Sequence, residues 1–435
     1  MKYYPKFKKI YAIAVVAIAL AFFANGFSGF FTPTSQAETT SWDQVTHFST
    51  DVNRIPRMQE FKGKLYASLM NESGNNPEIW VSDSDGLNWT KVQGYSTQLA
   101  TVAPDGGIFF NEMAVFDGYL YVVTSVVTGG GVAVLRTNDG INWSKNLPDE
   151  LQTLGFMGRV TNLRVFGDYL YYFVSDTDGL TVVRSDSSWT YTVVAEPADF
   201  DGADTHTIEA LTSQIYFGQL YIGTSGDIGT GAQAWFTEDG TNWIKTSGSL
   251  GSNPMNIVSE SSFVLNNNLF MVTYSLLGEN GIEIHVFQTI NGANWTDVNQ
   301  SGLPSNFTDF YIFAYGSQAT IAGGKVYLPI SDSNIGAGLY SSSDGITWTL
   351  EPTYTPDPEN NFNNSECVTL FNNHLYTAID RSTGQQFGAK GIFQPGVAYA
   401  ANVNLTEGAF IVRSSENPEP TPAPITVLPQ TGSSL

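Results

Sequence analysis

Phe116–Trp143 reads FDGYLYVVTSVVTGGGVAVLRTNDGINW, and its order of turns and apolar runs decides the fold. It opens with an aromatic residue and Asp-Gly, a pair that accepts the left-handed backbone of a hairpin turn. The run LYVVTSVV follows, then three glycines, then a second strand-like run, VAVLRT. A second Asp-Gly turn closes the stretch ahead of Asn142-Trp143. Short β-branched and aromatic runs punctuated in this way are strands.

The first turn recurs along the chain. Phe61–Tyr66 (FKGKLY) and Tyr216–Tyr221 (YFGQLY) are close copies of Phe116–Tyr121. Looser ones are Phe166–Tyr171 (FGDYLY), Leu265–Phe270 (LNNNLF), Ala322–Tyr327 (AGGKVY) and Phe371–Tyr376 (FNNHLY). The second turn recurs as Asp85–Trp89, Asp239–Trp243 and Asp344–Trp348 beside Asp139–Trp143, with Asn291–Trp295 and Ser185–Trp189 as variants. Similar strands precede it, as in 231–237 (GAQAWFT) and 336–342 (GAGLYSS). Each unit thus holds four short strands in about 50 residues, the signature of a propeller blade. No segment within the repeats shows a helical period, which excludes helical solenoids.

The seventh unit has its third strand, Gly408–Ser414 (GAFIVRS), but no Asp-Gly-Trp strand after it. Ser41-Trp42-Asp43-Gln44-Val45 matches the NWTKV of 88–92 and precedes the first unit. The expectation is an all-β, seven-bladed β-propeller of four-stranded blades, its ring closed by residues 41–47 completing the last blade. Closure of this kind removes exposed sheet edges.

The ends carry different signals. Residues 1–9 are basic, 10–24 are apolar, and small residues end at Ser35-Gln36-Ala37. This is the pattern of a signal peptide cleaved after Ala37; the alternative is an uncleaved anchor, for which the apolar run is short. The expected domains are a signal peptide (1–37), the propeller (38–415) and a proline-rich stalk (416–435). The formal net charge of −22 becomes more negative still once Lys2, Lys6, Lys8 and Lys9 are removed. So acidic a surface repels phosphate backbones, so nucleic acid is not an expected partner. Cys367 is the lone cysteine, so no intrachain disulfide forms; an exported chain of this kind fits a bacterial surface protein.

Leu428-Pro429-Gln430-Thr431-Gly432 resembles the sortase sorting signal of Gram-positive-type surface proteins, in which the Thr–Gly bond is cut and the threonine joined to the cell wall. That family pattern continues into an apolar segment and a basic tail, where Ser433-Ser434-Leu435 stand here. Export is therefore expected, with wall attachment left open. The Asp-Gly-x-x-Trp turns resemble the Asp-box of sialidase-like secreted propellers, and the aromatic-Gly-Leu-Tyr turn resembles kelch-like repeats. The resemblance implies structural roles for Asp85, Trp89, Asp139, Trp143, Asp239, Trp243, Asp344 and Trp348.

Arg54-Ile55-Pro56 is similar to a sialidase motif whose arginine grips a sialate carboxylate. The following acid/base aspartate of that family is missing from 62–80, and sialidases have six blades. Arg159, Arg164, Arg381 and Arg413 are possible further arginines, with nothing to select among them. Residues of the inner strands that line the channel offer Arg57, Asn111-Glu112, Thr161-Asn162, Thr212, Glu260, Gln318 and Glu366, which fit either a ligand site or a water-filled channel. Loops entering those strands are rich in aromatics (Phe109, Phe110, Phe156, Phe307, Phe310, Tyr311, Tyr354), which suit sugar stacking as well as loop packing. An insertion in the seventh unit, Asp380–Glu407, carries Arg381 and Phe387 and is expected to lean over the channel mouth.

Asp199, Asp201 and Asp204 are a calcium candidate without the bidentate glutamate of an EF-hand, and an acidic solvated loop is the competing reading. The histidines show no metal spacing. The sequence thus points to an exported recognition propeller that binds a glycan or an extracellular protein without catalysis. The alternatives are a sialidase-like glycoside hydrolase and a structural spacer.

Overall fold

At Lys62-Gly63 and Asp117-Gly118 the backbone turns through positive φ (51° and 69°, 46° and 76°). Two residues therefore reverse the chain, setting the registers Phe61↔Lys64 and Phe116↔Tyr119. The computed structural model describes residues 42–49, 54–70, 77–102, 108–126, 132–152, 159–176, 179–200, 207–226, 231–246, 250, 256–278, 281–304, 318–332, 336–352, 363–365, 367–381 and 409–415.

They form a seven-bladed β-propeller of antiparallel sheets, in which strands pair in chain order from the inside outwards. Blade 1 is Arg54–Phe61, Lys64–Met70, Glu78–Ser82 and Trp89–Lys91. Blade 2 is Ile108–Phe116, Tyr119–Val126, Val132–Thr137 and Ser144–Asn146. Blades 3, 4, 5 and 6 begin with the inner strands Arg159–Phe166, Thr207–Tyr216, Asn256–Leu265 and Thr320–Ala322. In blade 7 the inner strand Val368–Phe371 pairs with His374–Arg381, which pairs with Phe410–Ser414. The fourth strand there is Trp42–His47, in the register Trp42↔Ser414 and His47↔Phe410. The expected ring closure is therefore present.

In such a meander, the turns from first to second and from third to fourth strand lie at one end of the channel, the turn end. The remaining connections emerge at the other, the loop end. Apolar clusters lie between blades, where adjacent sheets face each other. One joins Phe173 and Leu180 of blade 3 to Leu220 and Trp235 of blade 4. Beside the single helical turn Asp149–Gln152 after blade 2, one longer helix escaped the periodicity reading: Gln93–Ala100, after blade 1. It buries only Tyr95 and Leu99, too few apolar positions for a helical period to show. The Tyr95 hydroxyl meets Thr124 Oγ1 at 3.0 Å, and its ring lies edge-on to Trp143.

The Asp-Gly turns are held by one repeated device. Asp139 Oδ1 accepts the backbone N–H of Ile141 (2.8 Å) and Asn142 (2.7 Å), and Oδ2 accepts Asn142 Nδ2 (2.7 Å). Asp239 does the same with Thr241 and Asn242, and Asn291 Oδ1 accepts the backbone N–H of Ala293 and Asn294. Asp344 Oδ1 accepts from Ile346 and Thr347. The bonds to Asn142 and Ile141 hold the Asp139 carboxyl well below the usual carboxylate range. Blade 1 differs: Asp83, not Asp85, accepts from Asp85 N, Leu87 N and Asn88 Nδ2. Asp83 stands two residues before Asp85, where blade 2 has Thr137, so a carboxylate there takes over the donors.

The two repeated turns also dock on each other across blades. A Cβ built on Gly140 would stand 2.1 Å from the Tyr66 hydroxyl oxygen, and one on Gly240 1.7 Å from that of Tyr171. The same contact joins Gly292 to Tyr221, Gly345 to the Phe270 ring, and Gly86 to Tyr376 across the seam between blades 7 and 1. Five of the seven second strands therefore place an aromatic ring under the next blade's glycine.

Candidate functional site

The inner strands meet around the channel, and their polar side chains pair from blade to blade. Arg57 of blade 1 grips Glu112 of blade 2 with both ends of its fork, Nε to Oε2 at 3.1 Å and Nη2 to Oε1 at 2.7 Å. Both residues are buried, at 7% and 8% exposure. Nearer the loop end, Arg159 of blade 3 makes an ion pair with Glu209 of blade 4, also buried. Each pair fastens one blade to the next. Glu209→Gln is expected to lower stability by about 1.5–3 kcal/mol, the size of a charged hydrogen bond. Chemical denaturation checks it; a loss within error would mean that the pair is dispensable.

A polar row continues around the ring. Thr161 Oγ1 donates to Ala210 O (2.9 Å) and Asn162 Nδ2 to Leu211 O (3.0 Å), while Ser213 Oγ donates to Asn162 Oδ1 (2.7 Å). Nearer the turn end, Arg164 Nη2 donates to Gln214 Oε1 (3.0 Å), and Gln214 Nε2 to Ser262 O (3.1 Å). On the seam, Asp380 Oδ1 accepts Ile55 N at 2.7 Å and Cys367 Sγ lies 3.2 Å from Ile55 O.

The structure thus brings together Arg57 with Glu112, and Asn162 with its neighbours in blade 4. Gln318 forms an isolated bridge with Cys367, its carbonyl accepting Val368 N at 3.3 Å. Arg54 opens the inner strand of blade 1 at the loop end, half-buried, opposite Met70. Glu260 is buried in blade 5; burial first, and the Glu260 carboxylate second, push the Tyr274 hydroxyl well above its ordinary value. Glu260 is not in register with Glu112 and Asn162. The ladder runs Ser259↔Thr273, then Ser261↔Val272, so Glu260 is a bulge residue and Ser261 holds the equivalent position. Phe109 belongs to a strand rather than a loop. Asp380 and Arg381 end the second strand of blade 7, so the insertion begins after them.

Phe110, like Phe109, lies in the inner strand of blade 2, whereas Glu366, Phe387, Asp201, Asp204, Phe156, Phe307, Phe310, Tyr311, Tyr354, the insertion after Arg381 and the motif Leu428–Gly432 lie outside the described residues. Asp199 ends a short 3-10 turn, where its carboxylate accepts Glu196 N at 2.9 Å. Among the described residues no three His, Cys, Asp or Glu side chains form a metal-holding group. His285 Nδ1 lies 2.9 Å from Asp297 Oδ2, a bond that raises the imidazole pKa. The partners Glu209 and Gln214 were missed in the sequence. The signal open to reading was the spacing of about 50 residues that separates Arg159 from Glu209 and Arg164 from Gln214.

No protein family model matches the sequence, and no curated protein matches it. Among solved structures the chain is similar to a prolyl endopeptidase (10% identity, TM-score 0.46, covering 77% of this chain and 47% of that one). It is similar to the Trypanosoma rangeli sialidase in complex with the inhibitor DANA (12%, 0.46, 84% and 60%). It is also similar to the polysaccharide lyase Uly1 (10%, 0.47, 83% and 89%). The chain thus spans about half the length of the endopeptidase it matches and 60% of the sialidase.

Proposed function

We propose that this chain is an exported recognition propeller that binds a glycan through its loop end and performs no catalysis. The observation that carries the reading is the pairing of the inner-strand charges. Arg57 with Glu112, and Arg159 with Glu209, neutralise each other out of water. The Glu112 carboxylate, gripped at both oxygens by the Arg57 fork, and the Glu209 carboxylate, paired with Arg159, are committed to blade-to-blade contacts and so poorly placed to serve a substrate. Export rests on residues 1–37, with cleavage after Ala37, and on the stalk at 416–435 with its sorting-like motif, which would hold the propeller at the cell wall. Among the described residues no helix is long and apolar enough to cross a membrane.

One observation favours a second reading, a sialidase-like hydrolase. Arg54 of the Arg-Ile-Pro motif stands at the loop end of an inner strand, where a ligand carboxylate could reach it. Two measurements separate the readings. A glycan array probed with residues 38–415 is expected to show binding, and a fluorogenic sialoside to remain intact. Hydrolysis abolished by Arg54→Ala would establish the enzyme instead, and a blank array would leave the spacer role.

A further inference from the structure

Three arginines of the inner strands point across to the next blade, and two of them meet a glutamate there. The third, Arg164, meets Gln214, a neutral amide. Among the described residues Gln214 Oε1 is the one hydrogen-bond acceptor of this guanidinium, which carries five N–H donors. Burial holds its pKa below the ordinary arginine value, yet the side chain keeps partial exposure. Arg164 lies on an inner strand two residues before its turn, so its remaining exposure is at the turn end. The chain therefore sets a positive charge in a confined, weakly hydrated place without the carboxylate it supplies to Arg57 and Arg159. An enclosed charge of that kind is costly unless an anion joins it.

The surroundings say which anion. The residue just before the one that opens each inner turn (aromatic in five blades, Leu265 and Ala322 in the other two) is aliphatic in six of seven blades: Val115, Val165, Ile215, Val264, Ile321 and Leu370. Val115 and Ile215 are 37% and 41% exposed, and the other four are partly exposed. By the repeat they form a collar at the turn end, one position beyond the level of Arg164. Phe217, in the turn of blade 4, adds a ring that is 63% exposed at φ 49°, where the other turns use Lys, Asp, Asn or Gly. A bulky residue is strained in that backbone region, and turn geometry alone gives no reason for it.

We propose that the turn end of the channel binds an organic carboxylate, its anionic head on Arg164 and its apolar stem within the aliphatic collar. The site is separate from the loop end and stands whether or not a glycan binds there. Gln214 Oε1 holds one corner of the guanidinium, leaving its other donors for the two oxygens of a carboxylate. Inorganic anions satisfy the charge but not the collar.

Benzoate titrated into the full chain is expected to raise its melting temperature with concentration, as for any ligand of the folded state. Benzyl alcohol and chloride at matched concentrations are expected to do little. Gln214→Glu places a carboxylate one hydrogen bond from Arg164, copying Glu112 on Arg57. It should fold at least as well as the parent and bind benzoate at least about tenfold more weakly, since a charged hydrogen bond is displaced. Ile215→Asn should weaken benzoate while leaving acetate unchanged. If benzoate fails to stabilise the parent, if chloride matches it, or if Gln214→Glu binds benzoate equally well, the proposal is overturned.

Discussion

Deleting Trp42–Phe48, the closing strand Trp42–His47 and the residue after it, is expected to abolish cooperative unfolding and to drive association into multimers. This strand completes blade 7, pairing from Trp42↔Ser414 to His47↔Phe410, and Phe48 N continues the ladder to Ala409 O at 2.9 Å. Its removal bares the backbone edge of Phe410–Ser414, a template for pairing with another chain. Trp42 packs with Val412 and with Tyr327 of blade 6, while Phe48 lies edge-on to Trp80 of blade 1. Burial of two such rings contributes about 1.5–3 kcal/mol each. Together with the lost ladder, the deletion removes an amount comparable to a typical domain's whole stability of about 5–15 kcal/mol. Size-exclusion chromatography and calorimetry read the result. A synthetic peptide of residues 38–49 should restore the single transition when added in trans. A deletion variant that remains monomeric and melts in one step at the parent's temperature would show that the ring holds without its closing strand.

Gly240→Ala should cost about 2–5 kcal/mol, about double the cost of Gly118→Ala, although both glycines sit in turns at nearly the same φ (77° and 76°). At Gly118 a Cβ would meet nothing within 4 Å, so the cost is the backbone strain alone, about 1–2 kcal/mol. At Gly240 the Cβ would also stand 1.7 Å from Tyr171 Oη and 2.7 Å from the ring carbon bearing it. The neighbouring blade would have to shift, and overpacking of that kind adds about 1–3 kcal/mol. Tyr171→Phe removes the oxygen and leaves the ring, so the Gly240→Ala/Tyr171→Phe pair should be more stable than the two single losses predict. Tyr171→Phe alone gives up only the long contact from Arg184 Nη1 at 3.4 Å. Denaturation midpoints of the four proteins of the cycle give the coupling. Equal losses at Gly118 and Gly240, or strict additivity in the cycle, would remove the tyrosine from the account.

These two expectations divide along the line between local and distant information. Ring closure was legible because it rests on period and turn chemistry: seven aromatic-Gly or Asn turns, six Asp-Gly-like turns, and a tryptophan strand displaced to residues 41–47. Such signals are carried by neighbouring residues, and a unit of about 50 residues repeats them. The placement of Arg54, Arg57, Glu112 and Asn162 on inner strands was also legible, because those strands can be counted back from their turns.

Their partners could not be found in that way. Arg57 reaches Glu112 and Arg164 reaches Gln214 because adjacent sheets face one another, and a contact across blades leaves no trace in either strand's own pattern. In blade 5 Glu260 stands one residue beyond the level of Glu112 and Asn162, which Ser261 occupies, and it is the bulge residue there as Thr161 is in blade 3. Gly240 shows the division within a single residue. By itself the sequence determined that a glycine stands there to turn a strand, because Asp-Gly is a local signal. Only the tertiary structure decided that nothing larger than glycine fits, because the Tyr171 hydroxyl that fills the space comes from the neighbouring blade.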